Sequence, residues 1–289
     1  MTHGSLGQAM IASTLPVACT VAGSDSGGGA GIQADLKTFA ACRVYGASAI
    51  VALTAQNTVG VRRVEAVSPA MVADQIDAVA EDLRPAAWKT GMLASAELVR
   101  LVAERLRAHR AAHLVVDPVM VAKSGDRLLA EDAVDALRSE LLPLAEVVTP
   151  NLPEVEALTG IAVRDRAGAR AAAEALAAMG PRLVVVKGGH APGETVVDLV
   201  LERDGGTAFE LEYPRVPGTS THGTGCTFSA AIAAFLARGV PAPDAIASAR
   251  AYLQQALLRA PGLGAGHGPL GHADPALAAP VVEAPTRVT

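Results

Sequence analysis

The sequence predicts an α/β fold: a three-layer αβα sandwich around a mostly parallel central sheet, with a small hairpin at one edge. Three observations predict it. Short β-branched runs alternate with Ala/Leu-rich segments of helical period. Such alternation builds right-handed βαβ units whose strands are buried on both faces. Between Val196 and Val216 the period changes to two around Asp204-Gly205-Gly206, which reads as an antiparallel hairpin at a sheet edge.

Taken in order, the strand-like runs are 17–22, 49–54, 114–117, 146–149 and 183–187. Helical spacing covers 31–41, 70–83, 95–108, 131–142, 165–179, 224–238 and 242–258. In the second of these, Met71, Ile76, Val79 and Leu83 recur at helical intervals and give the segment an apolar face for the sheet. From Pro261 the Gly/Pro/Ala-rich chain loses its period, which predicts an ordered loop and then a loose tail. With 289 residues, 51% of them hydrophobic, and no internal repeat, the expectation is one domain over 17–273, an extension at 1–16 and a flexible tail at 274–289.

A net charge of −5 without a basic run offers no general attraction to nucleic acid or to an anionic membrane. Any phosphate must be held by local geometry. Cys19, Cys42 and Cys226 are too few and too scattered for a disulfide framework, and no CxxC spacing suggests a structural zinc site. A cytoplasmic protein is expected, since residues 1–16 carry no positive leader region and no apolar run reaches the ~18 residues of a membrane span.

Two glycine-rich turns could carry chemistry. The first, Gly23-Ser24-Asp25-Ser26-Gly27-Gly28-Gly29-Ala30-Gly31, joins a strand to a helix and lets backbone approach a ligand. Its Gly29 to Ala34 stretch fits the loose dinucleotide fingerprint, but the ribose-binding acid is missing, since 36–63 contains no Asp or Glu. At the second strand's end stands Gln56, an amide that both donates and accepts and so suits a heterocycle edge. The same residues also read as a plain capping turn with a loop amide.

The second turn, Thr221-His222-Gly223-Thr224-Gly225-Cys226-Thr227, opens an apolar helix and aims unpaired N–H groups at one point, an anion hole in sequence form. It is no Walker A loop, because no Gly-Lys dipeptide occurs; it is also compatible with an ordinary turn capped by Thr224. Asp117, Asn151 and Glu154 fall at strand ends, where oxygen ligands suit Mg²⁺ with a nucleotide, directly or through water. Asn151, Pro153 and Glu154 are equally good helix-start residues. Lys187 ends a buried strand within reach of a nucleotide phosphate. His190, His222, His267 and His272 show no ligand spacing and read as surface or loop residues.

Together these segments resemble the hydroxymethylpyrimidine/phosphomethylpyrimidine kinases of thiamine biosynthesis, in the ribokinase-like superfamily. The resemblance runs from Val17 to Gly271, strongest at 23–37, 55–58, Lys89-Thr90-Gly91-Met92, 117–126, 149–154, 187–190 and 223–227. It implies transfer from ATP, with Mg²⁺, first to the hydroxymethyl group of 4-amino-5-hydroxymethyl-2-methylpyrimidine and then to the monophosphate. It also implies a homodimer. By resemblance Asp35 and Gln56 hold the pyrimidine, Gly23, Met92 and Val119 line its pocket, and Cys226 stands beside the acceptor hydroxyl. Lys187, Asn151 and Thr149 serve the nucleotide, with Glu154 and Asp117 on the metal side. Gly223, Thr224 and Gly225 would hold the transferring phosphoryl, and Cys226, at a helix start that favours thiolate, would take the hydroxyl proton. Ser26-Gly27 stands where the family commonly has Pro-Ser. A pyridoxal or pyridoxine kinase is the neighbouring reading, and a non-catalytic pyrimidine sensor is the reading from another class; sugar kinases usually carry Asp in place of Cys226.

Overall fold

A computed structural model describes residues 15–120 and 132–272. Among them lie nine strands in one sheet and eight α-helices. The strands are β1 (Val17–Asp25), β2 (Tyr45–Gln56), β3 (Val61–Ala66), β4 (Ala87–Thr90), β5 (Leu114–Val116), β6 (Val147–Val148), β7 (Leu183–Val186), β8 (Thr195–Glu202) and β9 (Ala208–Pro214). The helices are α1 (Gly31–Ala41), α2 (Pro69–Asp82), α3 (Ala96–Ala108), α4 (Asp132–Ala136), α5 (Leu152–Thr159), α6 (Arg166–Ala177), α7 (Thr224–Ala237) and α8 (Ala242–Leu258).

The spatial order is β3-β2-β1-β4-β5-β6-β7-β8-β9. The pairings from β2 through β1 to β7 are parallel, while β3 and the β8–β9 hairpin pair antiparallel at the two edges. The expected edge hairpin is therefore present. Side chains alternate along each strand and build two cores. Leu114, Val116, Val184 and Val186 join α2 to α6 on one face. Val115, Leu183 and Val185 meet α1, α7 and α8 on the other. From β1 the chain goes to β2 on one side and later returns to β4 on the other, so the carboxyl ends part beside β1. Such a switch point opens a ligand crevice.

Local chemistry explains the boundaries. Ser68 and Ser95 cap α2 and α3 by accepting from Met71 N and Leu98 N, and Pro69 supplies the fixed φ of a first helical residue. The expected helix at 131–142 is regular only over Asp132–Ala136. It widens into a π-turn at Leu137–Leu141 and tightens at Leu142–Leu144, where Pro143 removes a donor. Two strands were not expected: β3, nearly all exposed and carrying Arg62, Arg63 and Glu65, and β4, whose apolar run holds Lys89; of the short α5 only the helix-start residues were read. Residues 261–272 form an ordered loop, with a bridge between His222 and Pro269. The tail at 274–289, most of the 1–16 extension and positions 121–126 of the 117–126 segment lie outside the described residues.

Candidate active site

A cleft of about 760 Å³ runs along the carboxyl ends of the parallel strands, from Gln56 and Met92 at one end to Gln254 and Leu257 at the other. Its middle is the start of α7. Gly223 caps this helix at φ +82, a conformation that favours glycine, and a Cβ there would lie 1.9 Å from Gly29 O. The cap has no side chain, and the first amide to find its helical acceptor is Thr227 N, on Gly223 O at 2.8 Å. The amides of Gly225 and Cys226 therefore face the cleft with no acceptor in their own helix, at its positive end. Thr224 differs: its amide turns back to Thr221 O at 3.4 Å, and its hydroxyl bonds the same oxygen.

Beside this turn Asp117 accepts from Lys187 Nζ (2.9 Å), Thr149 Oγ1 (3.2 Å) and Ser229 Oγ (3.3 Å). Lys187 Nζ also lies 3.9 Å from Glu154 Oε2. A Cβ on Gly225 would come within 3.3 Å of both Asp117 Oδ2 and Lys187 Nζ, so glycine leaves this approach open. Burial pushes Glu154 up to about 7, with Lys187 opposing the shift and Asp117 adding to it. Burial also works against the Lys187 charge, but Asp117 and Glu154 outweigh it and hold the ammonium above the ordinary lysine range. Asp117 and Glu154 thus share one ammonium, and with Glu154 ionised the negative excess accommodates a cation. Among the described residues no group of three or more His, Cys, Asp or Glu forms a metal cage, so Asp117 and Glu154 fit a cation held largely by water and phosphate oxygens. Thr149 is fully enclosed and lines no part of the cleft. Expected at the nucleotide, it positions Asp117 instead.

At the Gln56 end, Gly23 sits under Met92, whose Cε would be 2.6 Å from a Cβ at position 23, and Val119 also lines the cleft. Gln56 lines the cleft, its backbone clamped by Ser26 Oγ, which donates to Gln56 O (2.7 Å) and accepts from Gln56 N (2.9 Å). Asp35, expected to hold the pyrimidine, has no exposed atom for a ligand. It is salt-bridged to the equally enclosed Lys89 (Nζ to Oδ2 2.8 Å) and accepts from Thr20 Oγ1 (2.6 Å). Its influence on the cleft runs through Lys89, which lies beneath Gly91 and borders the cleft. Cys226 corrects another expectation. Burial pushes its thiol up to about 11; Lys89 opposes the shift, whereas Asp35 and Asp117 add to it. Burial thus outweighs the Lys89 charge and the Gly31 amide and favours the neutral thiol.

The first glycine-rich turn also works differently from its sequence reading. The amides of Gly27, Gly29 and Ala30 donate to Asp25 at 2.7, 3.0 and 2.8 Å, so they are not free for a ligand. Gly31, at φ +54, is required because a Cβ would strike Gly23 O at 2.3 Å. His222, read as a surface or loop residue, lies in a loop but keeps only 14% of its side chain exposed and bonds Asp25 Oδ2 at 2.9 Å. His272, read likewise, is buried against Thr227 Oγ1 at 2.7 Å.

The far end of the cleft escaped the sequence reading altogether. Arg250 Nε donates to Asp198 Oδ2 (2.9 Å), Asp198 Oδ1 takes Gly188 N (2.8 Å), and Gln254 Nε2 donates to Pro214 O (2.8 Å). The signal available was Arg250 in an otherwise Ala-rich apolar helix, facing Asp198 in a buried strand.

The family model described as phosphomethylpyrimidine kinase matches residues 25–271. The chain belongs to this family. Family relatives include the hydroxymethylpyrimidine/phosphomethylpyrimidine kinase of Rhizobium meliloti, 53% identical over 89% of this chain and 96% of that protein. The enzyme of the same name from Haemophilus influenzae is 48% identical over 88% and 95%. The thiamine biosynthesis bifunctional protein ThiED of Geobacter sulfurreducens is 51% identical over 88% of this chain, which spans about half of that longer protein. Among solved structures, a Bacillus subtilis pyridoxal kinase in complex with ADP superposes with a TM-score of 0.84 at 35% identity, over 90% of this chain and 98% of that one. A phosphomethylpyrimidine kinase from Clostridium difficile 630 gives 0.74 at 42% identity, over 84% and 99%. The family fold is the ribokinase-like α/β sandwich expected from the resemblance. Among the described residues no helix is long and apolar enough to cross a membrane.

Proposed function

We propose that this chain transfers the γ-phosphoryl group of ATP to the hydroxymethyl group of 4-amino-5-hydroxymethyl-2-methylpyrimidine and then to the resulting monophosphate. The observation that carries this reading is the open start of α7, where the amides of Gly225 and Cys226 stand between the Gln56 and Met92 pocket and Lys187. Phosphoryl transfer through a loose transition state needs positioning and charge neutralisation above all. The two amides hold the transferring group, Lys187 meets the nucleotide phosphates, and Asn151 borders the nucleotide side. Mg²⁺ would be held through water by Asp117 and Glu154 and would neutralise charge on the nucleotide oxygens.

Gln56 reads the pyrimidine edge from the end of β2. Its replacement by Ala should raise the pyrimidine KM more than tenfold and leave nucleotide affinity intact, consistent with ~1 to 3 kcal/mol for a lost polar contact to a buried ligand. Unchanged pyrimidine kinetics would remove this assignment. Cys226 stands beside the acceptor oxygen; as a neutral thiol it adds no charge against the monophosphate, which already carries its own nucleophilic oxygen, and for the alcohol it first loses its proton to solvent and the thiolate then takes the hydroxyl proton. The cytoplasm, which supplies ATP and keeps the three free cysteines reduced, is the proposed location. A homodimer is proposed through the exposed Tyr45, Leu53 and Val64 of β2 and β3, and light scattering at the monomer mass of 29.3 kDa would contradict it.

A second acceptor is favoured by one observation: pyridoxal kinases of Bacillus subtilis and Staphylococcus aureus superpose with TM-scores of 0.84 and 0.82. A coupled assay of ADP release with the hydroxymethylpyrimidine, its monophosphate and pyridoxal in parallel decides. Turnover with both pyrimidines is expected; turnover with pyridoxal alone, or with no acceptor, would reject the proposal.

A further inference from the structure

Two loops press against each other where the acceptor pocket meets the start of α7. Asp25 ends β1 with 1% of its surface exposed, and its carboxylate gathers the amides of Gly27, Gly29 and Ala30 together with His222 Nε2. The next residue, Ser26, clamps the backbone of Gln56. On the other side, His222 immediately precedes the glycine cap of α7, and its own amide donates to Gly268 O at 3.1 Å. The contact is backbone-tight: a Cβ on Gly29 would lie 2.6 Å from His222 Cδ2, and one on Gly223 would lie 1.9 Å from Gly29 O. Asp25 and Ser26 are thus adjacent residues with one hand on each half of the site.

We propose that His222 and Asp25 form a positioning pair that joins the anion turn of α7 to the pyrimidine-binding end of β2, fixing the distance between the transferring phosphoryl and its acceptor. This rests on the kinase reading above. The pair is suited to the task, since one imidazole N–H anchors a carboxylate that organises three loop amides, so loss of that single bond frees a whole loop. Asp25 stays ionised in this setting: burial works against its charge, but the His222 and amide hydrogen bonds prevail and hold it below the ordinary aspartate range. A displacement of about 1 Å at reacting atoms costs about 10²-fold in rate. His222 acts through Asp25, so its removal should lower kcat and leave ground-state binding in place.

Three variants test the pair: His222→Ala, His222→Asn and His222→Gln, the last carrying an amide N–H at nearly the reach of Nε2. For Ala and Asn, kcat should fall about 30-fold to 100-fold on both pyrimidine substrates, with the dissociation constants for nucleotide and pyrimidine within about threefold of wild type. Gln should restore kcat to within about fivefold. Hydrogen exchange in the ligand-free protein supplies a readout independent of turnover: amides in 25–31 should exchange faster in the Ala and Asn variants and at the wild-type rate in Gln. Wild-type kcat in His222→Ala, losses confined to binding, or unchanged exchange in 25–31 would each overturn the pair. If His222→Ala fails to fold, the Asn and Gln variants decide on the same criteria. An inactive wild-type protein would instead reject the kinase reading, and the exchange measurement would still judge the pair.

Discussion

Helices α5 and α7 begin within reach of the same Lys187 and are built in opposite ways. In α5 the Asn151 side chain accepts from Glu154 N at 2.9 Å, and the Glu154 carboxylate returns to accept from Asn151 N at 2.8 Å, a reciprocal capping box. Pro153 removes another free donor. In α7 the cap is Gly223, position N2 is Gly225 and position N3 is the thiol of Cys226, so the amides stay open. One helix spends its polar residues on itself and gains stability. The other forgoes that gain and keeps donors without an acceptor in their own helix, which is what an anion site requires. The contrast at N3 is the sharpest part: a carboxylate where the amides are closed, a thiol where the proposed phosphoryl group would enter.

The largest expected effect comes from closing the open start. In Gly225→Val the new side chain would crowd Asp117 Oδ2 and Lys187 Nζ, each 3.3 Å from the Cβ position. We expect kcat to fall by at least the ~10² to 10³ of a lost anion-hole donor, with the far-UV circular dichroism of a folded protein. Wild-type turnover in this variant would erase the distinction between the two helices. Next is Cys226→Asp, which gives α7 the N3 carboxylate of α5. Against each unit of phosphate charge at ~4 Å that carboxylate repels by about 4 kcal/mol at an effective dielectric of 20, before screening. The monophosphate should therefore lose disproportionately more kcat/KM than the alcohol, and Cys226→Ala should show the reverse bias. Equal losses on both substrates would refute the charge argument. The smallest effect belongs to Asn151→Ala, which opens the closed start. It should cost about 1 kcal/mol of stability, seen as a Tm lower by roughly 2 to 4 °C, with kcat changed severalfold at most. A hundredfold loss of kcat would mean that α5 is catalytic in its own right.

The same comparison explains what could be read from sequence. The start of α7 was legible as either an anion hole or an ordinary glycine turn, and the α5 start as either cap or ligand because Asn and Glu serve both; the structure shows the cap of α5 and the open amides of α7. The boundaries of α1 and α8 agree with their helical spacing, and the edge hairpin with its change of period. β4 was lost because Lys89 interrupts its apolar pattern, and only the fold reveals that Asp35, on a different element, neutralises that charge. Asp35 was assigned to the pyrimidine by resemblance alone, and sequence gives no sign of the Lys89 that encloses it. The glycines of 27–31 were read as an approach for ligand when they serve backbone packed on backbone, and the burial of the loop residue His222 went unread because its carboxylate stands 197 residues away in sequence. Long-range pairing of charges is what local pattern cannot supply.

The central claim is that the amides of Gly225 and Cys226 receive the transferring phosphoryl while those at the start of α5 stay within their own cap. Backbone amide spectra of ¹⁵N-labelled protein, recorded before and after adding ADP, aluminium fluoride, Mg²⁺ and the hydroxymethylpyrimidine, test it directly. The account predicts large downfield shifts at Gly225 and Cys226 and small ones at Asn151 and Glu154. Unmoved resonances at Gly225 and Cys226 in a saturated complex, or larger shifts at the start of α5, would contradict it.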